Sequence, residues 1–308
     1  MTFPHSGLYF GADRLTEAQA NAAQPPLSDA WDALREREPV TPLDFAFRAR
    51  FLDEPESAHR AMGGLLRAAN AGLSDAEPVL RAAEYVSLLH AFELIRGIAE
   101  LEPTEQAAWL DYAATEADAL LAGPEPALHI RLWRNLARMT SAVVLERSAQ
   151  AEDAAREFER VVTEEVRPQG FMTKVVSGED GGSLFRQVEA TAALVLTAEA
   201  GQVAGFPLWG VEVRGVSAMT AALLPHYYFY DTRKWKWDRG VPPEDVQARF
   251  HRFGGYLEIV HLRSPNKDLG IVLEDLRPLN TPLAGGWTTL SHGYVEKKQR
   301  RGLFGART

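Results

Sequence analysis

Cysteine is absent from the 308 residues, which excludes disulfides, thiolate metal sites and cysteine nucleophiles. No stretch reaches the roughly 18 consecutive apolar residues of a membrane-spanning helix, so no membrane partner is expected. An excess of positive charge is missing as well. The formal net charge of −9 argues against bulk attraction to nucleic acid or to an anionic membrane, and no nucleic-acid partner is expected. The motifs HExxH, GxSxG and GxxxxGK(S/T) do not occur, nor does a glycine-rich βα turn or a His/Asp/Glu set with ligand spacing. Neither a metal nor a cofactor is therefore expected. The first ten residues lack a basic start followed by an apolar run, so they do not read as a secretory signal. With Met1 as the natural start the expectation is a cytoplasmic protein; with a trimmed signal it is an exported one.

What is present is helical periodicity. Residues 29–37, 44–52, 56–69, 79–101, 104–122, 128–147, 152–166 and 183–200 carry helix patterns bounded by proline, glycine or capping residues, with Thr104 read as a cap. Consecutive helices joined by short loops form stacked antiparallel pairs. No fixed repeat of 34 or 40 residues is visible. After Gly210 the signals mix, and 257–262 and 268–276 read equally as strand or buried helix. Residues 296–308 form a basic tail, expected to be flexible, behind a single domain over 1–295.

Four groups of residues can carry chemistry. On the helix 128–147, Leu132, Leu136, Met139 and Val143 fall on one face, and Arg131, Arg134, Asn135 and Arg138 on another. The second face is either a carboxylate-binding surface or a solvated one. Trp133 lies between them, as core or as a platform for stacking a sugar. His90 and Glu93 share a face of an otherwise apolar helix, as core residues or as a pair facing a cavity. Arg186, Gln187 and Glu189 open the almost wholly apolar helix 183–200, either within reach of a ligand or as an Arg186–Glu189 ion pair. The stretch from Pro225 to Arg239 interleaves His226, Tyr227, Tyr228 and Tyr230 with Arg233, Lys234, Trp235, Lys236 and Trp237. Its rings can stack on sugars while its cations neutralise uronates, or the rings can be buried beneath snorkelling cations.

Several pieces, in order, resemble the alginate lyase family within the heparinase- and chondroitinase-like toroids. The segment His5-Ser-Gly-Leu-Tyr-Phe10 resembles the family opening HPRLYF. Residues 43–50 with 56–66 resemble the helical hairpin that follows. The run 132–144 resembles the helix after the family's Asn-Asn-His motif. Segments 168–171, 205–209 and 224–227 resemble later landmarks. The resemblance implies an all-α fold, an incomplete (α/α) toroid with a short mixed C-terminal segment. It also implies an acidic polysaccharide or oligosaccharide as partner and β-elimination as chemistry, in which amide and basic groups neutralise the uronate carboxylate while His and Tyr move protons. With Trp133 on the family's Trp, the Asn-Asn-His positions fall on Leu128, His129 and Ile130, and the family's Tyr falls on Arg186. The base then passes to His129 or His226 and the acid to Tyr228 or Tyr227. Arg131, Asn135 and Arg186 would hold the carboxylate with Arg233 and Lys234 nearby, and Trp133 and Trp235 would stack on sugar rings. A polysaccharide lyase is one reading. The other is a non-catalytic relative that serves as a carbohydrate-binding or protein-interaction module.

Overall fold

A computed structural model describes residues 3–5, 7–74, 77–98, 101–177, 182–238 and 241–296. The basic tail from Lys297 onward and most of the turn at 178–182 lie outside the described residues. The helices run in chain order as α1 (Ala12–Ala20), α2 (Leu27–Glu36), α3 (Pro42–Phe51), α4 (Pro55–Ala71), α5 (Pro78–Ile95), α6 (Pro103–Leu121), α7 (Leu128–Val144) and α8 (Ser148–Glu164). They continue as α9 (Thr173–Val176), α10 (Ser183–Val203), α11 (Ala218–Ala222), α12 (Pro243–Phe253), α13 (Tyr256–Arg263), α14 (Lys267–Leu276) and α15 (Thr288–His292). Three single 3-10 turns, at 208–210, 225–228 and 232–234, interrupt the path between α10 and α12.

The C-terminal stretch expected to be mixed is helical: 257–262 falls within α13 and 268–276 within α14. Among the described residues the extended structure is one hairpin, β1 (Glu212–Val213) with β2 (Val216–Ser217). Its two-residue turn puts Arg214 and Gly215 at φ 53 and 78, the double positive φ that matches strand twist. Helix α6 opens on Pro103 rather than on Thr104, because proline at the first helical position forfeits no hydrogen bond. Helix α5 stops at Ile95, where Arg96 turns back to bond the Val144 carbonyl at 2.8 Å and Gly97 follows.

An inner ring forms from α3, α5, α7, α10, α13 and α15, each packed on the next, with α4, α6, α8, α14 and α2 outside it. Helix α10 shows why the ring is needed. Seventeen of its residues are buried, so apolar neighbours must cover it on nearly every side. Its threonines stay satisfied within the helix, as in the Thr197 hydroxyl donating to the Ala193 carbonyl at 2.7 Å. The ring closes through a glycine. Gly286 sits at φ +71, and a Cβ there would meet Phe47 Cε2 at 2.5 Å, so only glycine lets the loop before α15 lie against α3. Asp44, in a capping box with Thr41 at the start of α3, accepts from Asn280 at 2.9 Å and Trp287 at 3.3 Å across the same seam.

All inner helices run the same way. Their starts meet at Asp44–Trp287 and at Glu258–Thr289. Their ends meet at Arg96–Val144, Arg263–Glu199 and His292–Glu199. Cations thus gather where the helix dipoles are negative.

That C-terminal end is plugged by residues 7–10. His90 is fully enclosed there, 4.7 Å from the Tyr9 ring and 5.5 Å from Phe47, and burial holds its pKa down at about 3. It lies in an aromatic box rather than facing a cavity. Its predicted partner Glu93 instead binds His5 and Arg96. The two His5 nitrogens each lie 3.1 Å from a carboxylate, Glu93 and Glu146. Carboxylates only accept, so the protonated ring can donate from both nitrogens, although the donor-only Arg96 guanidinium lies 3.2 Å from Nδ1 and opposes that charge.

The Glu93 hydrogen bond raises the His5 pKa above 6.5, against burial and the Arg96 charge. A raised folded pKa contributes stability that is complete below about 6.5 and is lost as pH rises through the folded value. Thermal midpoints measured from pH 6 to 9 should therefore decline more steeply in the wild type than in His5→Gln. Identical slopes would remove the imidazolium from the account.

Candidate functional site

The N-terminal ends of the inner helices, roofed by α12, form the opposite mouth. Each part is placed by local sequence. Helix α12 begins at Pro243, capped by Pro242, with Glu244 and Asp245 in its first turn, and buries Val246, Phe250 and Phe253 at i, i+4, i+7. That spacing leaves Arg249 and Arg252 over the mouth. Helix α10 has no side-chain cap of its own at Gly182. Asp238 supplies one from the chain returning past the mouth, accepting from the Ser183 hydroxyl at 2.5 Å and the Leu184 amide at 3.1 Å. A carboxylate there satisfies orphan amides and complements the helix dipole.

Phe185, Asp245, Ala248, Arg249 and Arg252 line an open cleft of about 410 Å³ at this mouth. The Arg249 guanidinium lies 4.9 Å from the Phe185 ring centre, and Arg252 lies 5.6 Å from that of Phe253. Beneath them the Trp133 ring meets Phe253 edge-on at 5.7 Å and donates through its indole to the Glu189 carbonyl at 3.1 Å. The Glu189 carboxylate accepts from Arg249 at 2.5 Å. Burial raises its pKa and Glu77 adds to the rise, while Arg249 and Arg252 oppose it. Arg252 is exposed and has no carboxylate partner among the described residues.

This arrangement can hold a carboxylate between two guanidiniums beside the half-buried Phe185 ring. It also keeps a carboxyl whose protonation lies nearer neutrality than usual beside the bound group. His129 lies half-buried on the same face of α7 as Trp133, one turn nearer the mouth. It does not line the cleft; of the residues singled out from the sequence, Glu189 is the one bonded to a lining residue, Arg249.

The others are dispersed. Trp133 is wholly buried and Trp235 is 2% exposed, so neither offers a face to a sugar. Trp235 serves structure, donating to Ser183 at 2.8 Å. Asn135 is buried and donates to the Ala154 carbonyl on α8 at 3.0 Å, because the arginine face of α7 turns outward toward α8. Arg131 on that face pairs with Glu125 and Glu157. Arg186 bonds the Val175 carbonyl at 3.2 Å, toward α9. Glu189 pairs with Arg249 rather than with Arg186.

His226 is buried outside the inner ring, its pKa lowered by burial against the Leu223 carbonyl and the Asp268 charge. The Tyr227 ring lies tilted against it at 4.0 Å and is exposed. Tyr228 meets Trp235 edge-on at 4.9 Å, and burial raises its pKa. Arg233 and Lys234 are exposed, and Arg233 chelates Asp231 at 2.8 and 3.1 Å. Phe185, Arg249 and Arg252 carry no motif in the sequence that marks them as site residues. The spacing of Val246, Phe250 and Phe253 was a usable helix signal for the last two.

No protein-family model matches the chain, and no curated protein matches it. Solved structures do. Alginate lyase A1-III from Sphingomonas species A1 superposes with a TM-score of 0.67 at 14% identity, over 88% of this chain and 78% of that one. A variant of alginate lyase A1-III complexed with tetrasaccharide gives 0.71 at 14% identity, over 89% and 78%. An alginate lyase from Bacteroides ovatus gives 0.67 at 10% identity, over 93% and 98%. The chain thus has the all-helical fold of the alginate lyases, an alginate-lyase-like (α/α) toroid.

Proposed function

We propose that this protein binds an acidic, uronate-containing oligosaccharide at the N-terminal mouth of its toroid. The observation that carries the reading is the placement of Arg249 and Arg252 over Phe185 and Phe253, with Arg252 lacking a carboxylate partner among the described residues. A uronate offers a planar carboxylate for the guanidiniums and an apolar ring face for the half-buried Phe185, while Phe253 is enclosed beneath. The alginate lyase complexed with tetrasaccharide, which shares the fold, supports an oligosaccharide as the class of ligand.

Binding without cleavage is favoured because the histidines and tyrosines picked for proton transfer do not converge. His226 and Tyr227 belong to the outer layer beside α14, and Tyr228 packs on Trp235. A second reading, β-elimination, rests on Glu189. A carboxyl with a raised pKa beside Arg249 has the properties of a general base acting next to a neutralised uronate.

One experiment separates the two. The protein is incubated with alginate, hyaluronan, chondroitin and heparin while binding and unsaturated-uronate absorbance are followed together. Saturable binding with flat absorbance is the expected result. Absorbance that grows, and that disappears in Glu189→Gln and His129→Ala, would replace it with the lyase. Absence of binding to all four would end both readings.

A further inference from the structure

A second cleft, of about 280 Å³, lies on the outer wall between the α6–α7 loop, α7 and α8. Four arginines line it, Arg131, Arg134, Arg138 and Arg160, against two carboxylates, Glu125 and Glu157. In a chain of net charge −9 this is a local reversal of sign. The four are not equally neutralised. Arg131 and Arg160 contact both carboxylates. Among the described residues Arg134 and Arg138 bond only neutral acceptors, the Pro124 carbonyl at 3.1 Å and the Asn135 side chain at 3.4 Å.

Arg131 is also incompletely satisfied. Its side chain is 13% exposed, and its Nη2 finds no acceptor among the described residues. Burial lowers its pKa, with Arg160 pushing the same way and Glu157 opposing. Buried guanidinium donors without acceptors are costly, and an anion in the cleft would relieve that cost.

We infer that this outer cleft binds a tetrahedral oxyanion, a sulfate or phosphate group, at a site separate from the mouth. The two carboxylates already supply planar acceptors to Arg131 and Arg160. The remaining donors come from successive turns of α7, Arg134 and Arg138, and from the buried Arg131 Nη2. A group with three or four oxygens can meet donors from several directions at once, which a planar carboxylate with two oxygens does less well. The cleft sits just below the range of small-molecule pockets, roughly 300 to 1,000 Å³, so it suits a free anion or one sulfated or phosphorylated sugar unit.

Thermal midpoint and calorimetric titration are measured with inorganic sulfate, inorganic phosphate and a heparin-derived disaccharide, each against sodium chloride at equal ionic strength. At least one is expected to bind and to raise the midpoint. The Arg134→Ala/Arg138→Ala double variant should weaken that binding at least tenfold. Neither arginine neutralises a carboxylate, so circular dichroism and the ligand-free midpoint should stay near wild type. Glu125→Gln, which removes a competing negative charge, should strengthen binding severalfold. Binding of the inorganic anions alone identifies a free ion as the ligand, and binding of the disaccharide alone identifies a group carried on sugar. Wild-type protein that responds to none of the three beyond chloride, or a double variant that binds as wild type does, would overturn the inference.

Discussion

Arg249→Ala is expected to weaken binding of an acidic tetrasaccharide at least tenfold, about 1.4 kcal/mol, and to destabilise the fold as well. The two effects have different origins. The guanidinium faces the cleft and would meet the uronate carboxylate, so its loss removes a charge-assisted bond. It is also the partner of Glu189, whose side chain is 11% exposed. Leaving a buried carboxylate without its cation costs roughly 3–5 kcal/mol by comparison with other broken buried pairs, less here because Arg249 itself is 28% exposed.

Two companion variants separate the effects. Arg252→Ala removes an exposed guanidinium with no carboxylate partner among the described residues, so affinity should fall while the unfolding midpoint stays put. Arg249→Ala combined with Glu189→Gln should recover much of the stability but none of the affinity. Titration calorimetry and urea unfolding on the four proteins give both numbers. Unchanged affinity in both single arginine variants would remove the mouth from the account.

The largest loss of stability is expected at Arg277. Glu258 on α13 is fully buried, and Arg277 grips it with two bonds of 2.7 and 2.8 Å while Thr289 on α15 donates a third at 2.7 Å. The Thr289 hydroxyl in turn accepts from the Leu279 amide at 2.8 Å. This network ties α15, one turn long, into the inner ring, and with it the Gly286 loop that closes the seam against α3. Arg277→Ala strands the Glu258 carboxylate with a single hydroxyl, for an expected cost of about 3–5 kcal/mol. Arg277→Ala with Glu258→Leu, which removes the stranded charge, should recover part of that. Urea unfolding followed by tryptophan fluorescence measures both, since Trp287 lies at the seam. A loss below about 1 kcal/mol for the single variant would mean that the ring closes by apolar packing alone.

Much of the ring was legible because its helices advertise themselves. The buried periodicity of α10, the amphipathic α7 and the proline-bounded α3 to α6 place the inner and outer layers within a few residues. The resemblance carried by the order of short motifs, from His5 to Tyr227, led to the alginate-lyase fold. Helices α13 and α14 were ambiguous because short apolar runs look alike as strand or buried helix.

The site was less legible, and for a geometric reason. Which face of α7 looks inward depends on its neighbours, not on its own pattern. Arg131 and Asn135 form a polar stripe that faces α8, while Trp133, which the sequence leaves open as core or stacking platform, is buried inside the ring against Phe253. The aromatic–cation run after Pro225 was dense in chemistry-bearing types, yet Trp235 is spent in tying that run to Ser183 at the start of α10. The cleft is built instead by Glu189 and Arg249, 60 residues apart, a pairing that no local spacing announces.

The mouth is proposed to recognise a uronate carboxylate. Calorimetric titration of the wild-type protein with an alginate tetrasaccharide and with a neutral cellulose tetrasaccharide tests it directly. Saturable binding of the acidic ligand that weakens as salt is raised, with no detectable heat from the neutral one, is the expected result. Equal binding of both, or binding of neither, would contradict it.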